Sequence, residues 1–395
     1  MFGILDSLAG FIKIRYVADK PIIDSTIARL HYRVTAVVLF VGCLLCTANS
    51  LIGNPIECIH SDERMQKVLN QYCWISSTFT LPAARGQVGV HVAHAGVGAY
   101  AHHGRYAPHP HVTGATGEER YHAYYQWVPF VLFFQGLLFY APHWFWKNWE
   151  DGKIRLLSDG IRGTLAETRE GRKERQSKLV QYVIDTMDMH NWYALGYYVS
   201  EILNFVNVIG NIYFTDKFLG GKFLSYGIVA LKPVADNETS PFVEIFPRVT
   251  KCTFHKFGHS GTIEVIDTMC VLALNILNEK IYIFLWWWFI FLAVISGLAL
   301  FYSSSIIVSP AIRRNILCRR FKFKVIEGAK AIVNNTKVGD FFLLHLLGQN
   351  INMVVYTEFL EELSIKLGGY APNAPNSATI ERQPIYPTKQ SLLPE

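Results

Sequence analysis

Charge is scarce in this chain. Only 17% of its 395 residues are Asp, Glu, Lys or Arg, whereas 51% are hydrophobic and the mean hydropathy is +0.19. That balance is too apolar for an ordinary soluble protein of this length. Catalytic signatures are missing as well: no H-E-x-x-H, G-x-S-x-G, Walker A or dinucleotide glycine motif occurs. Neither enzymatic activity nor a cofactor is therefore expected. The net charge of +6 sits at the edges of apolar blocks and forms no single patch, which argues against nucleic acid as a partner. The opening MFGILDSLAGFIKIRY has no long apolar run or small-residue cleavage site, so no cleavable signal is expected. Phe2 in second position excludes N-myristoylation. There is no internal repeat. Cysteine is limited to seven residues, and neither Cys58 with Cys73 nor Cys252 with Cys270 has the close spacing of a structural zinc site.

The apolar residues are gathered into four blocks, 34–53, 124–146, 192–214 and 281–308. Each supplies the roughly 20 residues that cross a bilayer as a helix. The third is the least apolar, because it carries Glu201 and three asparagines. Residues 1–33, 147–191 and the tail from 310 hold 5, 9 and 11 Lys plus Arg. The intervening loops, 54–123 and 215–280, hold 5 and 7. The excess places both termini and the middle loop in the cytoplasm. Cys58 and Cys73 then lie in the first outer loop and Cys252 and Cys270 in the second. Four cysteines in an oxidising compartment suggest two disulfides, with three connectivities open.

Within this frame several segments admit two readings. Residues 2–13 carry Phe2, Leu5, Ala9 and Ile12 on one stripe, with Asp6 off it; they fit an interfacial amphipathic turn or a plug folded into a pore. Glu201, Asn204, Asn207 and Asn211 share one helix face, where they either bond to neighbouring helices or line a wet pathway. HVAHAGVGAYAHHGRYAPHPH (91–111) reads as a solvated loop; its irregular histidines lack the carboxylate or thiol of a metal site. His143 and His190 read as interfacial. The charged ETREGRKERQSK turns amphipathic through Leu179, Val183 and Met187. IRRNILCRRFKFK (312–324) is a basic juxtamembrane cluster that could hold anionic lipid. Asp340 could cap a helix through FFLLHLLGQN, and FLEELSIKLGG ends on a glycine stop. Asn237-Glu238-Thr239 is an N-glycosylation sequon in the second outer loop.

The second block opens YYQWVPFVLFFQ. Tyr124, Tyr125 and Trp127 suit the headgroup layer. Pro129 is tolerated if the helix begins near Trp127 and kinks it if the helix begins nearer Tyr121. That combination is explained by a resemblance. The YYQWV of Tyr124, Tyr125, Gln126, Trp127 and Val128, two cysteines in each outer loop and four spans with inward ends resemble the innexins, the invertebrate gap-junction proteins. GFIKIRY, LIGNPIECI, the Cys73-Trp74 pair, FPRVTKCTFHKFG, CVLALNILNEKIYIFLWWWF and VGDFFLLHLLGQN extend the resemblance over nearly the whole chain. Connexins share the topology but carry three cysteines per outer loop. The 91–111 segment departs from the family pattern.

The resemblance implies an all-α membrane protein. It would be a four-transmembrane-helix bundle with an N-terminal pore helix, disulfide-linked outer loops in which short strands are allowed, and a helical cytoplasmic domain. The expected order is a cytoplasmic or pore segment (1–33), span one (34–53), outer loop one (54–123), span two (124–146) and a cytoplasmic loop (147–191). Span three (192–214), outer loop two (215–280), span four (281–308), a cytoplasmic helical region (309–369) and a disordered tail (370–395) follow. It further implies loop-to-loop disulfides, Cys58 with Cys270 and Cys73 with Cys252, and a pore mouth that holds Phe2 to Lys13, with Asp6 contributing a ring of like charge. The expected partners are identical or related innexin subunits, the hemichannel of the adjacent cell, and membrane lipids. The expected place is the plasma membrane at cell–cell junctions, and the expected cargo is ions and small metabolites. The alternatives are an undocked hemichannel, which the Asn237 sequon favours, and a four-span adhesion or scaffold protein.

Overall fold

The computed structural model describes residues 21–82, 84, 88, 92–97, 119–159, 161, 169–230, 244–321, 323 and 326–368. Phe2, Asp6, Asn237, most of the histidine-rich segment and the 370–395 tail lie outside the described residues. The chain divides into two units, 1–156 with 192–308 and 157–191 with 309–395.

The first unit is a helical bundle continued into a disulfide-bonded sheet. Among the described residues, three of its helices, Thr26–Ile52, Tyr124–Glu150 and Leu274–Val308, are long and apolar enough to cross a membrane. Asn191–Phe218 is 28 residues long, but Glu201, Asp216, Lys217 and its asparagines dilute its apolar character. Leu39, Val128, Leu132, Phe139, Phe289 and Leu292 are buried together at the centre of the bundle. The first helix starts on Ser25, whose hydroxyl accepts the Ala28 N–H at 3.1 Å. Between Leu30 and Thr35 it widens into a π-helix. There Thr35 Oγ1 donates to the Leu30 carbonyl at 3.0 Å, five residues back, and receives the Trp288 indole N–H at 2.8 Å. His31, in the same wide turn, bonds Ser296 Oγ at 2.7 Å. The local widening thus turns two polar side chains inward onto partners of the last helix.

The helices overrun the apolar blocks. The last begins at Leu274, before the block at 281–308, because its polar first turns are buried: Asn275, Asn278 and Glu279 are at most 3% exposed. Asn275 donates to the Pro247 carbonyl at 2.7 Å, and Arg248 pairs with Glu279 at 3.2 Å.

Among the described residues the outer part carries five strands, β1 (Glu57–Cys58), β2 (Thr78–Thr80), β3 (Arg120–His122), β4 (Val249–Phe257) and β5 (Ile263–Val271). They form one antiparallel sheet in the order β1-β5-β4-β2-β3. Two strands are nine residues long, so the sheet is more than the short strands expected. The hairpin joining β4 to β5 closes through the Gly258 N–H on the Thr262 carbonyl at 2.8 Å, with Gly261 at φ +80°. Residues from both outer loops are therefore neighbours in a single sheet.

The second unit is helical among the described residues: Arg169–Asp185, Pro310–Arg320, Ile326–Asn335, Val338–Asn350 and Met353–Lys366. Leu343, Leu344, Leu347, Tyr356, Phe359 and Leu363 are all at most 1% exposed. Of the expected amphipathic run, Leu179 and Val183 are buried on the 169–185 helix, beside Val180, whereas Met187 lies beyond its end and is half-buried. Asp340 caps the Val338–Asn350 helix, as expected, from its first turn. The helix starts at Val338, and Asp340 in its first turn reaches back to the Lys337 N–H at 3.3 Å. Its carboxylate also accepts from His190 Nδ1 at 3.0 Å and the Asp188 N–H at 3.1 Å. Gly339 is required beside it, since a Cβ there would stand 2.6 Å from the His190 carbonyl oxygen. The 353–366 helix starts on Asn352, which accepts the Val354 N–H at 3.0 Å, and ends before Gly368 at φ +81°.

Candidate functional site

The outer layer is where the sequence motifs converge. Cys58 on β1 stands opposite Cys270 on β5 and is bonded to it, with the Cα atoms 3.9 Å apart. Cys73, on the helix Glu63–Ser76, is bonded to Cys252 on β4 across a Cα separation of 6.0 Å. All four half-cystines are at most 2% exposed and pack with Ile56, Leu69, Tyr125 and Leu272. Asp62 starts that helix by accepting the Arg64 N–H at 2.9 Å. Asn70 Oδ1 accepts the Cys58 N–H at 2.7 Å, so strand and helix are tied beside the bridge. Thr268 Oγ1 donates to the Ile59 carbonyl at 2.7 Å on the neighbouring strand.

YYQWV is the joint between this layer and the bundle. The helix starts at Tyr124, which puts Pro129 in its second turn and leaves the Tyr125 carbonyl without a helical donor. Tyr125 is 1% exposed, lies against Trp74 at 4.7 Å between ring centroids, and donates its hydroxyl to the Cys73 carbonyl at 3.4 Å. Gln126 Nε2 donates to the Trp74 and Ile75 carbonyls, the last turn of the outer helix, and so acts as its side-chain cap. Trp127 is 59% exposed, while Val128 is fully buried in the bundle core. The five residues thus alternate between the disulfide layer, the helix end and the bundle.

On the sheet's other edge, His122 is buried and bonded to Thr80 Oγ1 at 2.8 Å. Burial, with the nearby Arg120 charge, pushes its pKa down to about 4. The Tyr121 hydroxyl donates to Glu119, which raises its pKa. At the tip of the β4–β5 hairpin, Phe257, Ile263 and Val265 are exposed. Of the histidine-rich segment, 92–97 is described: the His94 N–H faces the Val97 carbonyl, and the Leu81 N–H donates to the Gly96 carbonyl at 2.9 Å.

Elsewhere two polar contacts join the apolar helices across the bundle. Ser303 donates to Glu201 at 2.5 Å, and Gln135 donates to Thr215 at 2.9 Å. Asn211 donates to Asn207 within its own helix at 2.8 and 3.0 Å. His143 stacks on Tyr32 at 3.8 Å and pairs with Asp24 at 3.2 Å. Sequence reasoning missed the role of Asn275 and Glu279 and the His190–Asp340 pair. For the first, polar residues at the head of an apolar helix were the available signal.

The family description that matches this chain is Innexin, over residues 24–367. Innexin inx3 of Drosophila melanogaster is 47% identical over 99% of this chain and 98% of its own length. Innexin inx2 and innexin shaking-B of the same organism are 42% and 39% identical, each over 93% of this chain and at least 95% of their own. These matches, with a disulfide-bonded outer layer set on long apolar helices, show that the chain belongs to the innexin family: a multi-pass gap-junction channel subunit of cell junctions that assembles with innexin subunits, and not an enzyme.

Proposed function

We propose that this innexin forms, with identical or related subunits, a hemichannel that docks end to end with one in the adjacent cell and passes ions and small metabolites. The observation that carries this reading is the outer layer. Two disulfides and a shared sheet tie both outer loops into one body, which lowers the ordering cost of presenting a fixed face to a partner. The proposed path crosses the membrane four times, with Asn191–Phe218 as the third crossing and both ends cytoplasmic, as the Lys and Arg asymmetry supports. Glu201 and the asparagines of that helix can be accommodated because polar groups at such depth turn toward protein. Residues 2–13 are proposed to fold into the pore mouth, where Asp6 contributes one charge per subunit.

The undocked hemichannel is the second reading, and the sequon at Asn237 favours it. A glycan pointing at the opposing cell would exclude a docked partner sterically. The test compares wild type with Asn237→Gln in paired cells, with surface expression measured in both. Junctional conductance in wild type is the expected result. Conductance that arises only in the variant would overturn docking in favour of the hemichannel, and the absence of dye uptake into single cells would remove the channel altogether.

A further inference from the structure

The helix Pro310–Arg320 begins two residues after the last apolar helix ends at Val308. Between Ser309 and Ile326 the chain carries Arg313, Arg314, Arg319, Arg320, Lys322 and Lys324 and no acidic residue. Positive-inside bias accounts for such a cluster so long as its side chains are solvated. It does not account for Arg313. This arginine is 8% exposed, between Pro310 at the helix start and the buried Ile316 and Leu317. Its Nε and Nη1 are buried without a hydrogen-bond partner among the described residues. Its neighbour Arg320 is exposed and has a contact, Nη1 to His345 Nε2 at 3.4 Å. A guanidinium cannot neutralise itself by losing a proton, as a buried lysine can, so the burial of unpaired N–H donors calls for an anion.

We propose that Arg313 is the anchor of a phosphate-binding site on the helix that follows the last membrane helix in the chain. A guanidinium spreads five N–H donors around a plane, and a phosphate offers several oxygens to meet them. The exposed cations on the same helix raise the local concentration of anions without supplying a partner for the buried nitrogens. The helix is about 16 Å long at 1.5 Å per residue. In the chain its first turn follows directly on the apolar helix that ends at Val308. Two sources share this chemistry: the headgroup of an anionic phospholipid, and a soluble phosphate ester.

The experiment uses full-length protein in nanodiscs of phosphatidylcholine, alone or doped with phosphatidylinositol bisphosphate, with inositol hexakisphosphate as the soluble arm. Bound lipid is counted by mass spectrometry after washing. Wild type is expected to retain the phosphorylated lipid, Arg313→Gln to lose about tenfold or more in affinity, and Arg314→Gln, with the same change of charge, to retain it. A second readout needs no variant: phenylglyoxal modification of Arg313 in wild type is expected to slow when the phosphate source is present. Protection by inositol hexakisphosphate alone would assign the site to a soluble ester, and protection by lipid alone to the headgroup. Equal lipid retention in wild type and Arg313→Gln, equal losses in both variants, or an Arg313 whose modification rate ignores both sources would each overturn the proposal. Conductance is not the readout, so failure here leaves the docking reading untouched.

Discussion

Replacing both Cys58 and Cys270 by serine removes one of the two bonds that hold the outer loops together, and its cost can be worked from the topology. In the chain-entropy picture a disulfide acts by restricting the unfolded chain, and the restriction grows with the logarithm of the loop it closes. The two bonds are nested, with sequence separations of 212 and 179. Either bond alone would contribute about 5 kcal/mol by that relation. Once the inner bond exists, the outer one closes only the chain from Cys58 to Cys73 and from Cys252 to Cys270. That is about 33 residues, worth about 4 kcal/mol. The double replacement should therefore weaken the outer layer by about 4 kcal/mol, or roughly three decades in the equilibrium for opening it. Hydrogen exchange of the β4 and β5 amides reads this directly, because their ladder is continuous from Val249 to Phe257. Protection there should fall about a thousandfold, whereas amides of Tyr124–Glu150 beyond Pro129 keep theirs. A loss below about tenfold would refute the reasoning and assign the layer's strength to its ladder and to the packing of Leu69, Ile56 and Leu272. An equal loss throughout the bundle would show that layer and bundle open as one.

Acid should loosen the same layer through His122. Its folded pKa of about 4 lies below the unfolded 6.5, so the unfolded chain binds the proton more readily. Stability is full above pH 6.5 and falls as the pH drops from there toward 4, by about 3 kcal/mol in all; melting followed against pH should flatten across that window in His122→Gln. In the helical unit, Asp340→Ala strands the N–H groups of Asp188 and Lys337 and the His190 ring, and should cost about 3 kcal/mol, read as a lower melting temperature. Asp340→Asn, which retains the acceptor oxygen, should lose less. At the proposed pore mouth, Asp6→Asn should lower cation over anion permeability, measured as a shift of reversal potential under a salt gradient; an unchanged potential would place Asp6 away from the path.

How far these features were legible depends on whether their cause is local. Long apolar runs announce membrane helices because the bilayer tests each run by itself, and the lysine and arginine asymmetry is likewise a sum over positions. The nine-residue hairpin was equally local. VTKCTFHKF and IEVIDTMCV are rich in β-branched and aromatic residues and flank a Gly-His-Ser-Gly turn, so the two long strands could have been stated outright. Asp340 was legible only in part. Its nearby sequence suggests the cap that it makes on the Lys337 N–H, but the other donors that fix its rotamer come from residues 188 and 190, far away in the chain. His31 and Thr35 gave no signal at all, since the widened turn that buries them depends on Trp288 and Ser296 of the last helix.

Pro129 shows the same division within one motif. Local rules place a proline comfortably only in a first turn, and by those rules the helix should begin near Trp127. It begins at Tyr124 instead, because its opening residues are claimed by the outer layer: Tyr125 by Trp74 and the Cys73 carbonyl, Gln126 by the end of the 63–76 helix. These contacts hold the first turn in helical geometry even though Pro129 removes the hydrogen bond that would otherwise close it onto Tyr125. A helix end fixed from outside can tolerate that loss where a free end would fray. The order of residues in YYQWVP then has a physical reason. The rings and the amide come before the proline because they supply, through the disulfide layer, the order that the proline takes away.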